Sequence, residues 1–233
     1  MQSAHVLKKG ESMRIKLNRT ADRLIHDEAY RARAVPRMYL AASALYGVFK
    51  CILGLLLRSR WIGAIGVYFI MLTGIHFLLL IAQERCPGEK GMQWWRILVA
   101  VLMLLLGAII NALIVKILKN EESYYYPGFL IYIFALYALI KMAAAIVTVV
   151  RRRGHRTPLQ DAEQNLILVE ASVCIMALVT ALLAQFTAPD QAELRFGITF
   201  VTCTLVFVLT LELTVRMFLA SHRALLAMRR EKE

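Results

Sequence analysis

Residues Trp61–Gln83 read WIGAIGVYFIMLTGIHFLLLIAQ, 23 consecutive positions without Asp, Glu, Lys or Arg. A helix of that length rises about 35 Å at ~1.5 Å per residue, enough to cross a hydrocarbon core of ~30 Å. The stretch lacks the strict alternation of a membrane β-strand. Five more long apolar runs, each with only one or two charged residues, follow when the reading moves outward: Met38–Leu57, Trp95–Ile117, Pro127–Val150, Gln164–Phe186 and Phe196–Leu219. The fold class expected is therefore all-α, a polytopic membrane protein with six transmembrane helices.

Composition agrees. Of 233 residues, 59 % are hydrophobic and 19 % charged, against ~45–50 % and about 25 % for soluble domains. That excludes an ordinary cytosolic enzyme, a disordered tail and a secreted disulfide scaffold. Connections between the runs are short. Arg58-Ser59-Arg60 makes spans one and two a tight hairpin, Cys86-Pro87-Gly88 is a turn signal, and Tyr124-Tyr125-Tyr126 suits a membrane interface.

Charge placement sets the expected orientation. The 28 Lys and Arg exceed 16 Asp and Glu by 12, and the basic residues cluster before Met38, at Arg151-Arg152-Arg153 with Arg156, and after Leu219. With six spans all three clusters lie on one side, so both termini are expected to be cytoplasmic, in a plasma (inner) membrane. The first apolar run stands behind a charged segment, which does not resemble a signal peptide. The domain division expected is 1–37 as a basic amphipathic segment, 38–219 as the six-helix domain and 220–233 as a basic tail. In the first segment Met13, Leu17, Ala21, Leu24 and Ile25 fall at helical spacing. Two readings apply: a helix lying on anionic lipid headgroups, favoured by roughly 1 kcal/mol per basic residue, or a helix that docks a partner.

Leu45-Tyr46-Gly47-Val48-Phe49-Lys50 in span one has a counterpart 91 residues later, Leu136-Tyr137-Ala138-Leu139-Ile140-Lys141 in span four. Three spans separate the copies, so they would run in opposite directions, as in inverted 3+3 repeats of secondary transporters. Chance similarity in Leu- and Tyr-rich helices is the competing explanation.

Charges inside spans are costly and each needs a reason. Lys50 lies close enough to the outer end of span one to snorkel, whereas Lys141 is near the middle of span four, where snorkelling is harder and a buried partner is the alternative. Glu212 has Arg216 four residues on, a natural local pair. Glu170 would face a cytoplasmic vestibule. His76 reads as a hydrogen-bonded core histidine, and Asn111 and the span threonines as donors between helices or back to carbonyls. The functional reading joins Lys141, Glu170, Glu212 and His76, with Lys50 and Asn111, along a substrate or ion pathway, since burial and pairing bring such groups toward proton exchange near neutrality.

No H-E-x-x-H, G-x-S-x-G or nucleotide-binding glycine loop occurs, so no catalytic residue, cofactor or enzymatic activity is expected. Cys51, Cys86, Cys174 and Cys203 show no C-x-x-C spacing, and no metal site is expected from them. Partners expected are the bilayer and its anionic headgroups, with no nucleic acid. Gly63, Ala64, Gly66 and Gly74 would let helices approach closely, a homodimer included.

The chain resembles the transmembrane domain of the cation diffusion facilitator family. The residues that carry the resemblance are Lys50-x-x-x-Gly54, Ser59 at the first hairpin, Gly91 to Arg96 leading into span three, and Arg152–Thr157 before span five. It covers about residues 40–220 and implies six helices with cytoplasmic termini. The family's metal ligands would fall at about Tyr68 and Leu72 in span two and at Leu166 and Glu170 in span five, where Glu170 alone is a carboxylate. The family's C-terminal domain has no counterpart in the 14 residues after Leu219. The layout is also similar to uncharacterised six-span bacterial membrane proteins, a likeness that implies no activity. Two functions are thus expected: a transporter-like protein for a small ion or solute, or a non-transporting scaffold, sensor or partner subunit acting through its basic N-terminal helix.

Overall fold

The computed structural model describes residues 28–85, 88–119, 128–151, 157–187 and 191–230. The N-terminal amphipathic positions Met13 to Ile25, Cys86-Pro87 and the tyrosines Tyr124 to Tyr126 lie outside them. Six helices are described: α1 Glu28–Leu56, α2 Arg60–Arg85, α3 Glu89–Lys119, α4 Gly128–Arg151, α5 Pro158–Phe186 and α6 Ala192–Arg230. All six contain a stretch long and apolar enough to cross a membrane, and no strand occurs among the described residues. The fold is compatible with an integral membrane protein.

The chain divides into two compact units, Met1–Ala42 and Ser43–Glu233. The described part of the first is the opening half of α1, which is helical through Pro36, so the expected boundary at residue 37 does not coincide with a helix end. The second unit holds the rest. Its α6 continues through Leu219 to Arg230 without a break, carrying helix into the stretch expected as a tail.

Helix ends follow local chemistry. Thr157 and Gln160 form a reciprocal capping box with Pro158 at the first turn, and this moves the start of α5 back from the expected Gln164. At the first hairpin the Ser59 N–H donates to the Gly54 carbonyl at 2.9 Å and the Arg58 N–H to Leu55 at 3.3 Å, a Schellman ending. Arg58 occupies its left-handed position at φ 49°, where glycine is the usual residue. The Ser59 hydroxyl then accepts the Ile62 N–H at 3.4 Å and starts α2.

Lipid tails are as apolar as leucine, so helices in a membrane associate through close packing rather than escape from water. The α1–α2 hairpin does this with glycine. A Cβ on Gly54 would stand 2.5 Å from the Gly63 Cα, and one on Gly66 would stand 2.6 Å from the Cys51 nitrogen. Gly66, expected in a stripe open to another chain, is thus used within this one. Thr73, Thr202, Thr204, Thr210 and Thr214 bond carbonyls four residues back, and Thr180 one three residues back. Of the two roles expected for the threonines, these bonds are all of the local kind.

The centre belongs to α5. It packs against α2, α3, α4 and α6, and 61 % of its most apolar window is buried, against 22 % for α4 and α6. Helices α1, α4 and α6 present Leu55, Tyr132 and Leu205 outward. A polar group near the middle of α5 is therefore enclosed by other helices and must be satisfied by them.

Candidate functional site

Glu170, near the middle of α5, is fully buried. Three other helices supply its partners. Its Oε1 accepts the Ser43 hydroxyl of α1 at 2.7 Å and the Lys141 ammonium of α4 at 2.7 Å. Its Oε2 lies 3.4 Å from Nε2 of His76 on α2. Lys141 also donates to Ser43 Oγ, closing a triangle of ammonium, hydroxyl and carboxylate. Cys174, one turn beyond Glu170, is buried.

The two similar segments, Leu45–Lys50 and Leu136–Lys141, meet beside this triangle. Tyr46 and Tyr137 stack with ring centroids 3.7 Å apart and planes at 9°. Lys50 Nζ lies 5.6 Å from the Tyr46 ring and Lys141 Nζ 5.4 Å from the Tyr137 ring. The 91-residue offset that maps Tyr46 onto Tyr137 and Lys50 onto Lys141 also maps Ser43 onto Phe134. Lys141 contacts Ser43, and Lys50 stands 3.5 Å from the centroid of Phe134. The contacts are equivalent in position and different in chemistry, one ammonium on a hydroxyl and carboxylate, the other over an aromatic face. Lys50 does not snorkel, contrary to the simplest expectation. It is fully buried, because the rings of Tyr46 and Phe134 receive its charge inside the bundle.

A second polar layer lies at the end of α2 and the start of α5. Gln83 Nε2 is 3.5 Å from Glu163 Oε2, and Arg96 of α3 is 3.4 Å from Asp161. Gln83 follows His76 by seven residues and Glu163 precedes Glu170 by seven, so the layers sit two turns, about 10 Å, apart. Buried Leu79 and Leu166 occupy the turn between them. The layer sequence along the α2–α5 contact is thus polar, apolar, ionisable.

Other expected pathway residues do not join the site. Glu212 is half exposed and pairs with Arg216 one turn along its own helix, the local reading of that pair. Asn111 donates to the Gly107 carbonyl at 2.8 Å within α3. Glu170 faces no vestibule, since the central position of α5 encloses it completely. Of the positions to which the facilitator resemblance assigns metal ligands, Tyr68, Leu72 and Leu166 are buried core residues and Glu170 is held by Lys141. Among the described residues no group of three or more His, Cys, Asp or Glu side chains is placed to hold a metal ion.

Sequence reasoning missed Ser43. The signal for it was present: Ser43, Tyr46 and Lys50 are spaced i, i+3 and i+7, one face of a helix, and the repeat offset aligns Ser43 with a site-lining phenylalanine. A carboxylate touched by ammonium, hydroxyl and imidazole groups inside an apolar bundle is an arrangement able to hold or relay a proton or a small cation. Compared with known proteins, the chain matches no family model, no curated protein and no solved structure.

Proposed function

We propose that the protein is a multi-pass transporter of a small ion or solute, and that Glu170, Lys141 and His76 form its proton-exchange site. The observation that carries the reading is the convergence of an ammonium and an imidazole from two helices on one fully buried carboxylate of a third. Holding such a cluster in lipid is costly, and it recurs in membrane proteins where protons or ions are relayed. The equivalent Tyr46/Lys50 and Tyr137/Lys141 contacts support an inverted 3+3 repeat, with α1 and α4 as corresponding elements. On the facilitator-like reading, the Lys141 ammonium acts as a tethered cation on the carboxylate where a metal would sit, and proton exchange replaces metal binding. The basic clusters favour a plasma (inner) membrane with cytoplasmic termini, which puts the Gln83–Glu163 layer at the cytoplasmic mouth and Leu79 with Leu166 as the apolar barrier behind it.

Reconstitution into proteoliposomes with reporters for protons, zinc and manganese tests this. The expected result is a proton signal that Glu170→Gln abolishes. A second reading has its own support: the core is closely packed around the ion pair, and Glu212 is tied to Arg216 at the surface. Under it the cluster fixes helix register in a scaffold or partner subunit whose basic N-terminal helix engages lipid or protein. Folded protein without flux, retaining the coupling between Lys141 and Glu170, is its signature.

A further inference from the structure

At the α1–α2 hairpin the bundle surface is indented by a groove of about 570 Å³, within the ~300–1,000 Å³ range of small-ligand sites. Two helical stripes form its walls. One is made by Cys51 and Leu55 of α1 with Arg58 of the hairpin turn, the other by Arg60, Ala64 and Val67 of α2. Gly54 and Gly63 form the bottom, where the backbones touch. A Cβ on Gly63 would meet no atom within 4 Å, so space stands open over bare backbone. Both arginines are exposed at the same end, and Val67 lies about 10 Å further along α2.

We infer that this groove binds one anionic phospholipid, with an acyl chain along Gly63, Ala64 and Val67 and the phosphate between Arg58 and Arg60. The depth order matches a lipid: two guanidiniums at the helix ends, then only small and apolar side chains below. In a bilayer, open space beside exposed glycine backbone fills with hydrocarbon rather than water, and a guanidinium pair favours phosphate through bidentate hydrogen bonds. The site is separate from the buried ion cluster and holds whether or not the protein transports.

The test is native mass spectrometry of the full chain released from nanodiscs of equal phosphatidylglycerol and phosphatidylcholine. Wild-type protein is expected to retain one phosphatidylglycerol in preference to phosphatidylcholine. Gly63→Leu, whose Cβ meets no atom within 4 Å and whose isobutyl group would occupy the groove, should lose the retained lipid. Gly74→Leu, a second position with nothing within 4 Å, should retain it. Arg58→Gln and Arg60→Gln should each weaken the preference roughly fivefold, the equivalent of ~1 kcal/mol per charge. Retention by Gly63→Leu equal to wild type overturns the proposal, as does an undiminished preference in the arginine variants. A wild-type dimer that Gly63→Leu converts to monomer also overturns it, because the groove is then a contact between copies. Both arginine side chains are exposed and fill no part of the groove floor, so their variants decide the matter even if Gly63→Leu folds poorly.

Discussion

Replacing Glu170 with glutamine removes one charge from the centre of the bundle and leaves Lys141 where it is. At 2.7 Å and an effective dielectric near 20, the gross attraction between the two groups is about 6 kcal/mol. Much of that offsets the desolvation of both ions, so the pair contributes far less than its gross attraction. The single variant is a different matter, because it strands a buried ammonium that lies near the Tyr137 ring and bonds Ser43. Breaking a buried pair from one side costs ~3–5 kcal/mol, which for a chain of this size corresponds to a fall in Tm of roughly 6–20 °C. Lys141→Met alone should cost a similar amount by leaving the carboxylate with Ser43 and His76. The double variant Lys141→Met/Glu170→Leu should recover most of the loss, since apolar replacement of a whole buried pair is commonly neutral or stabilising. Thermal unfolding of all four proteins in one detergent gives the coupling energy directly. Additive losses, or a Glu170→Gln variant within ~1 kcal/mol of wild type, would falsify the claim that these groups form one buried unit.

Three further outcomes follow from the geometry. Arg58→Gly should stabilise the protein by about 1 kcal/mol, because it relieves a left-handed conformation that costs an L side chain ~1–2 kcal/mol, and thermal unfolding reads the gain. Gly54→Ala and Gly66→Ala should each destabilise by ~1–3 kcal/mol through overpacking, whereas Gly63→Ala should be neutral or stabilising as a helix-favouring change; equal losses at all three positions would contradict the described hairpin contact. Arg216→Gln should change stability by no more than ~1 kcal/mol, the usual limit for an exposed pair, and leave flux at wild-type level, so a loss of flux would return Glu212 and Arg216 to the pathway.

What could be read from the sequence differs between fold and site. Apolar length alone gave six helices, since a bilayer demands about 20 residues of any helix that crosses it. Helix α5 begins six residues before the expected span Gln164–Phe186, at Thr157-Pro158-x-Gln160, a capping signal readable in the sequence. The end of α6 gave no such warning, because a basic segment continues a helix as readily as it leaves one. The expense of buried charge singled out Lys141 and Glu170, but the same argument singled out Glu212 equally. The difference lies in which helix each occupies: α5 is surrounded and α6 is peripheral, and that ranking comes from packing between helices rather than from any one of them. His76 followed from the same packing. Lys50 was misjudged because its distance from the helix end was counted while the rings one turn away, and across at Phe134, were not. Ser43 carries no cost that marks it, so only its spacing with Tyr46 and Lys50 could have pointed to it.

The most direct test of the central claim is a proton-flux measurement in proteoliposomes comparing wild type with Glu170→Gln and with the stability-restored Lys141→Met/Glu170→Leu protein. The account predicts a proton signal from wild type and none from either variant, with the double variant as stable as wild type. Wild-type flux undiminished in that stable double variant, or flat traces for protons, zinc and manganese from folded wild-type protein, would contradict it.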